Sequence, residues 1–116
     1  MNIVRFDEAP RYEALGHAGM EMVRLQGREA GPSDTLWLGV STLAPGGGTT
    51  LNASPIEKMY VVLDGAVTIS NGEEEAVLQP RDSCRIAPNE RRALKNNTDR
   101  TATILLAMPL SPAPTT

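Results

Sequence analysis

The sequence predicts an all-β domain, an antiparallel sandwich or barrel, on three observations. Apolar residues come in short continuous or alternating runs, each closed by Gly, Pro, Asn or Asp. No window of helical length keeps an i, i+3, i+4, i+7 pattern without a Pro or Gly breaking it. Many short strands with regularly spaced turns are the pattern of such an architecture, and 116 residues suffice for one core and no second domain.

The runs follow in order. Residues 20–25, residues 36–40 around Trp37, and residues 60–63 are short apolar or alternating runs. Residues 67–70 lead into Asn71-Gly72, the pair favoured in a two-residue type I′ hairpin, with the return strand over 75–78. Residues 84–86 and 103–106 complete the set. Residues 27–33 read as a surface loop, and the Pro-rich tail 109–116 as frayed or extended. The domain is placed over 1–108, with 1–19 as an N-terminal arm or edge strand.

Composition excludes several functions. A net charge of −3 argues against nonspecific nucleic-acid binding, which needs clustered Lys and Arg. No stretch approaches the roughly 18 apolar residues of a membrane span, and the first residues carry no apolar run of signal-peptide length. With a single free cysteine, Cys84, this favours the cytoplasm. One Cys forms no intramolecular disulfide or cysteine-rich zinc site, and one His, His17, forms no two-histidine metal centre within the chain.

Residues 45–65 resemble the first motif of the cupin family: Gly, five residues, His-x-His, three residues, Glu, six residues, Gly. Gly46 and Gly65 stand at the two glycine positions with the spacing intact. A weaker second motif runs from Pro80-Arg81-Asp82 to Asn96-Asn97. The resemblance implies a single-domain cupin-type double-stranded β-helix, a jelly-roll barrel. In metal-binding cupins the two histidines and the glutamate of the first motif, with one histidine of the second, hold a divalent ion. Here Asn52, Ser54 and Lys58 occupy the first three positions. Shifting the alignment to use Glu57 loses the glycine spacing. The fourth position is Arg92 if Arg81-Asp82 is the motif's Gly-Asp, or Ala93 if Pro88 is the motif proline. Strand alternation favours Arg92, since Leu94 then turns inward with it rather than Lys95. An ammonium offers no lone pair to a cation, and Asn and Ser are weak ligands where imidazole is the norm. No metal and no cofactor are therefore expected.

The resemblance implies that Asn52, Ser54 and Lys58 project into the cavity, with Tyr60 on the Lys58 face by strand period. A lysine among apolar walls loses hydration and is held toward its neutral form. Lys58 could act as base, Schiff-base nucleophile or carboxylate anchor, or simply pair with a buried acid such as Asp82. Asn52 and Ser54 could bind a carbonyl or oxyanion, or satisfy loop backbone. Arg92 would hold a carboxylate through its planar fork, or lie in a solvated turn. Glu57 faces the other side of the strand, and Cys84 is a small core residue. His17 is either an exposed loop histidine or a group delivered over the barrel mouth, its own or a partner's. The expected function is a metal-independent enzyme, of isomerase, lyase or cyclase type. It would do acid–base chemistry on a small carbonyl- or carboxylate-bearing metabolite, with Lys58 and His17 catalytic and Asn52, Ser54, Tyr60 and Arg92 binding substrate. The alternatives are a noncatalytic small-molecule-binding or accessory cupin, and a purely structural domain. The resemblance also implies a homodimer, and neither a nucleic-acid nor a membrane partner is expected.

Overall fold

The computed structural model describes residues 1–110. Ten strands carry the fold: β1 (Arg11–Tyr12), β2 (His17–Gln26), β3 (Leu36–Thr49), β4 (Asn52–Ala53), β5 (Lys58–Asp64), β6 (Val67–Ser70), β7 (Glu75–Leu78), β8 (Ser83–Ile86), β9 (Arg91–Lys95) and β10 (Ala102–Pro109). The described helical turns are short 3₁₀ segments, Phe6–Glu8 and Arg28–Ala30. Strands neighbour one another in the order β7-β6-β9-β3-β10-β5-β8, with β1 on β2, β2 on β3 and β4 on β9, all antiparallel. This is the jelly-roll barrel, open at one seam. There β7 and β8 end the path and face each other across a cleft of about 180 Å³ lined by Ile69, Ala76, Cys84 and Ile86.

Strand alternation decides what goes inside. Leu43, Tyr60, Val62, Val67, Ile69, Leu78, Ile86, Leu94, Ala102 and Ile104 form one buried cluster, with Met20, Cys84 and Leu106 packed against it. Each fully buried aliphatic side chain contributes about 1.5–3 kcal/mol. The 14-residue β3 crosses from one side of the barrel to the other, and it does so on glycine. A Cβ on Gly47 would lie 2.3 Å from the Gly19 carbonyl oxygen, and one on Gly48 would lie 2.1 Å from that of Leu94. Only bare backbone lets β2, β3 and β9 approach this closely.

Several expectations change. The 71–74 connection is a four-residue loop, because Ser70 pairs with Glu75. Gly72 has φ +92°, but Asn71 is not among the residues with positive φ. Its side chain closes the turn instead, with Oδ1 accepting the Glu73 and Glu74 N–H groups at 2.9 and 2.7 Å. The strand expected over 20–25 begins at His17, which is therefore not in a loop. Pro109 ends β10, and Leu110 N–H donates to the Thr35 carbonyl at 3.0 Å, so residues 109 and 110, expected in the tail, are held to the barrel. The tail's remainder, 111–116, lies outside the described residues. Arg92 and Leu94 are both buried and Lys95 is exposed, which decides the second motif in favour of Arg92. No described helix is long and apolar enough to cross a membrane.

The trailing asparagine of that motif, Asn96, is fully buried. Its Nδ2 donates to the Leu43 and Arg100 carbonyls at 3.0 and 2.7 Å, and its Oδ1 accepts from Thr98 N–H at 3.0 Å. Asn96→Ala strands these backbone groups, and urea denaturation should show a loss of about 3 kcal/mol.

Candidate functional site

Three registers assemble the site. His17 pairs with Thr49 between β2 and β3, Asn52 pairs with Arg92 between β4 and β9, and Lys58 and Tyr60 pair with Ile86 and Cys84 between β5 and β8. Lys58, Tyr60 and Arg92 are 5%, 3% and 9% exposed, all on the barrel's inner side. Lys58 Nζ donates to Ser54 Oγ at 2.7 Å and reaches the Ile56 carbonyl at 3.4 Å. Arg92 Nη1 donates to Thr49 Oγ1 at 2.6 Å, and Leu94 N–H donates to the same oxygen at 2.9 Å. The buried Nε of Arg92 has no partner among the described residues.

Both cations end on neutral oxygens. The described ion pairs are Arg11–Glu21, Arg24–Glu29 and Arg85–Glu57, and no Asp or Glu is among the described buried residues. The Lys58–Asp82 pair does not form, because Asp82 is exposed and its carboxylate accepts the Gln79 N–H at 2.9 Å. Glu57 turns to the outer face and pairs with Arg85, as strand alternation requires. Burial holds the Lys58 ammonium below the ordinary lysine range, and the Arg92 charge adds to the effect. Burial pushes the Tyr60 hydroxyl up to about 12, against the opposing charge and hydrogen bond of Arg92. Tyr60 is therefore a neutral O–H donor at physiological pH.

His17 lines a cavity of about 350 Å³ with Tyr12, Glu13, Met20, Glu21 and Met22 among its walls. Its Nδ1 lies 2.9 Å from the Leu15 carbonyl oxygen. A carbonyl only accepts, so Nδ1 carries the hydrogen and Nε2 of the neutral ring keeps a bare lone pair. Desolvation lowers the pKa of His17, and the Arg92 charge lowers it further against the Leu15 hydrogen bond. The chain's one histidine is thus held neutral, within the field of Arg92.

Of the residues singled out in the sequence, Lys58, Ser54, Tyr60, Arg92 and His17 gather at this end of the barrel. Asn52 does not enter the interior. It is exposed on the rim, and its Nδ2 donates to Thr50 Oγ1 at 2.7 Å. Ser54 is already committed as the acceptor for Lys58, so it positions the ammonium before it binds anything else. Cys84 is half-buried in the seam. Burial, then Glu90 and Glu74, raise its pKa, so the thiol stays protonated. Thr49, Tyr12 and Arg24 were not anticipated. Arg24 was visible in the alternation with Met20 and Met22, whereas Thr49 and the two-residue β1 leave no periodic signal.

The residues present do not fit the divalent ion that cupin ligand positions can hold. Lys58 and Arg92 place positive charge at two of those positions, and among the described residues no three His, Cys, Asp or Glu come together.

Comparison with known proteins agrees with this fold. The family model described as "Cupin domain" matches residues 39–108. A Mycobacterium tuberculosis protein named beta-D-galactosidase is 40% identical over 108 residues, spanning 93% of each chain. The polyketide cyclase RemF of Streptomyces resistomycificus superposes with a TM-score of 0.82 at 18% identity, covering 94% of this chain and 79% of its own. A cupin-superfamily sugar phosphate isomerase of Silicibacter pomeroyi gives 0.78 at 21%, covering 94% and 76%. An RmlC-like cupin of Shewanella frigidimarina gives 0.77 at 14%, covering 94% and 90%. At these identities the solved structures speak for the fold alone, while the family match over most of the barrel and the 40% relative establish that this chain belongs to the cupin family.

Proposed function

We propose that the protein is a metal-independent cupin enzyme that binds a small carbonyl- or carboxylate-bearing metabolite and moves a proton on it. One observation carries the reading: two buried cations, Lys58 and Arg92, stand without a carboxylate partner among the described residues. An anionic ligand supplies the missing charge. The rest of the inventory suits the same ligand. Tyr60 O–H and Arg92 Nε–H are further donors, and His17 Nε2 is the acceptor among these groups.

The chemistry follows from that inventory. Lys58 and Arg92 hold the carboxylate or polarise a carbonyl. His17 Nε2 takes the proton from the adjacent carbon, and the electron pair moves onto the carbonyl oxygen to give an enolate. Tyr60 donates a hydrogen bond to that oxygen. Where the α carbon bears a hydroxyl, passage of its proton to the enolate oxygen and return of the His17 proton to the former carbonyl carbon completes an isomerisation. Alternatively the enolate reforms the carbonyl as a leaving group departs from the β carbon with its electron pair and takes the proton from His17, completing a lyase step. A polyketide cyclase and a sugar phosphate isomerase on the same fold are in keeping with these reaction types.

Galactoside hydrolysis is a second reading, favoured by the 40% relative. Glycosidases ordinarily need two carboxyl groups about 5–9.5 Å apart. The carboxylates lining the His17 cavity are Glu13 and Glu21, both on its exposed lip. Release of nitrophenol from a nitrophenyl β-D-galactoside, lost in Glu13→Gln and Glu21→Gln, would establish this reading over the first.

The first reading is tested by incubating the protein in D₂O with three- to six-carbon keto and hydroxy acids and following deuterium at the α carbon by mass spectrometry. Incorporation should fall 100-fold or more in His17→Gln and Lys58→Met. Lys58→Met should also raise unfolding stability by about 1 kcal/mol, since it removes an unpaired buried charge. Undiminished incorporation, or activity that needs stoichiometric bound metal, would overturn it.

Protonation of His17 gives a separate check. Its folded pKa lies below the ordinary 6.5, so the unfolded chain binds the proton more readily. The stability this represents is fully present above pH 6.5 and is lost as pH falls below it. The lone histidine resonance should titrate with a midpoint below 6.5, and His17→Gln should flatten this part of the stability profile.

We further propose that the protein pairs with a second copy through the outer face of β3, β10 and β5. Leu36, Met59 and Leu63 are 43%, 48% and 48% exposed there. An isologous pairing would bury these apolar side chains against their own copies, with the Glu57–Arg85 ion pair beside them. Sedimentation should give a dimer for the wild type and a monomer for Met59→Glu/Leu63→Glu; a monomeric wild type refutes the pairing.

A further inference from the structure

Tyr12 reaches the barrel from an N-terminal arm with little backbone to fix it. Strand β1 is two residues long, pairing Arg11 with Val23 and Tyr12 with Met22, and the Arg24 N–H donates to the Pro10 carbonyl at 2.9 Å. Side chains do the fixing. The Arg24 guanidinium carbon sits 3.5 Å from the centre of the Tyr12 ring and 4.1 Å from that of Trp37. Tyr12 and Trp37 meet edge to face, with centroids 5.8 Å apart and an interplanar angle of 83°. Arg24 Nε is held in turn by Glu29 Oε1 at 2.8 Å, from the short 3₁₀ turn. Gly39 leaves room for the stack: a Cβ there would lie 2.8 Å from Trp37 Cζ3 and 3.4 Å from the Tyr12 hydroxyl.

This arrangement places an aromatic and thioether wall, Tyr12 with Met20 and Met22, along the same cavity as His17. The link from this wall to the cationic end is His17, which lines the cavity and pairs in register with Thr49, the acceptor of the Arg92 hydrogen bond. The two surfaces differ in what they recognise. Lys58 and Arg92 read charge, whereas the Tyr12 wall reads carbon. A ligand using both carries its carboxylate on a compact carbon skeleton, rather than being a bare inorganic anion.

We propose that Tyr12 is a ligand-contacting, specificity-determining residue of this cavity, and that Arg24 is the positioning residue that holds it there. The inference rests on the reading of Lys58 and Arg92 as the anion-binding end. It also assigns the stack of Tyr12, Arg24 and Trp37 a role that tethering the arm alone would not give it.

The experiment compares two carboxylates that share a head group, acetate and cyclohexanecarboxylate. Binding is followed through the resonances of the single histidine, with emission from the single tryptophan as a monitor of the stack. The wild type should bind cyclohexanecarboxylate at least 10-fold more tightly than acetate. Tyr12→Ala and Arg24→Met should reduce that preference to about 2-fold, chiefly by weakening cyclohexanecarboxylate binding, and Arg24→Met should shift the Trp37 emission. Tyr12→Phe, which keeps the ring, should keep the preference. Lys58→Met should abolish binding of both. If acetate binds through Lys58 but the preference survives in Tyr12→Ala and Arg24→Met, the role of Tyr12 is refuted and the anion site stands. If neither carboxylate binds the wild type, or Lys58→Met binds both as before, the anion site fails and this inference fails with it.

Discussion

Two positive charges inside an apolar barrel repel each other and lose their hydration, a penalty of several kcal/mol for each ion before compensation. The fold accommodates Lys58 and Arg92 by ending each on a neutral hydroxyl, Ser54 and Thr49. A hydroxyl satisfies a hydrogen bond without cancelling a charge. The field therefore remains, and it reaches outward: it lowers the His17 pKa, works against the rise at Tyr60 and disfavours a cation at the ligand positions of the family. Much of the local chemistry follows from this one constraint. A carboxylate in place of Ser54 or Thr49 would quench the field and leave an ordinary buried ion pair.

The backbone geometry that permits this is just as specific. Thr49 can serve Arg92 and the Leu94 N–H with one oxygen only because β3 runs against both β2 and β9 at that end, where Gly47 and Gly48 remove the side chains that would hold them apart. Thr49 pairs directly with His17 in the same stretch. The crossing of β3 therefore brings the neutral imidazole and the guanidinium to one end of the barrel, although 75 positions separate them in sequence, from 17 to 92.

What was legible in the sequence was what alternation and spacing encode. The strand pattern and the interval from Gly46 to Gly65 sufficed for the fold. The motif position implied Lys58 inside; period two then put Tyr60 on its face and Glu57 on the other, and favoured Arg92 with Leu94 over Ala93 with Lys95. Side-chain competition for backbone groups was not legible. Asn71 was read as a positive-φ turn residue, yet its carboxamide accepts two N–H groups and lengthens the loop to four residues. Asn52 was placed inside by motif position, but it heads the two-residue β4 on the rim, where Thr50 takes its amide. Tyr12 lay beyond any pattern, since a two-residue strand has no period to detect.

The same contrast bears on what the barrel can do. A metal-binding cupin concentrates positive charge on an ion and surrounds it with neutral or negative ligands, so the protein itself supplies the electrons. Here the polarity is reversed: the interior carries Lys58 and Arg92 with no carboxylate partner among the described residues, and on the proposed reading the electron pairs come from the ligand. Lys58 and Arg92 each end on a hydroxyl, of Ser54 and Thr49, and on no acid. On the same reading a neutral imidazole suits this interior as proton acceptor better than a carboxylate does. A carboxylate would bind the cations itself and exclude the anion they are placed to receive. The histidine keeps a lone pair without carrying a negative charge, because burial and the Arg92 charge both lower its pKa.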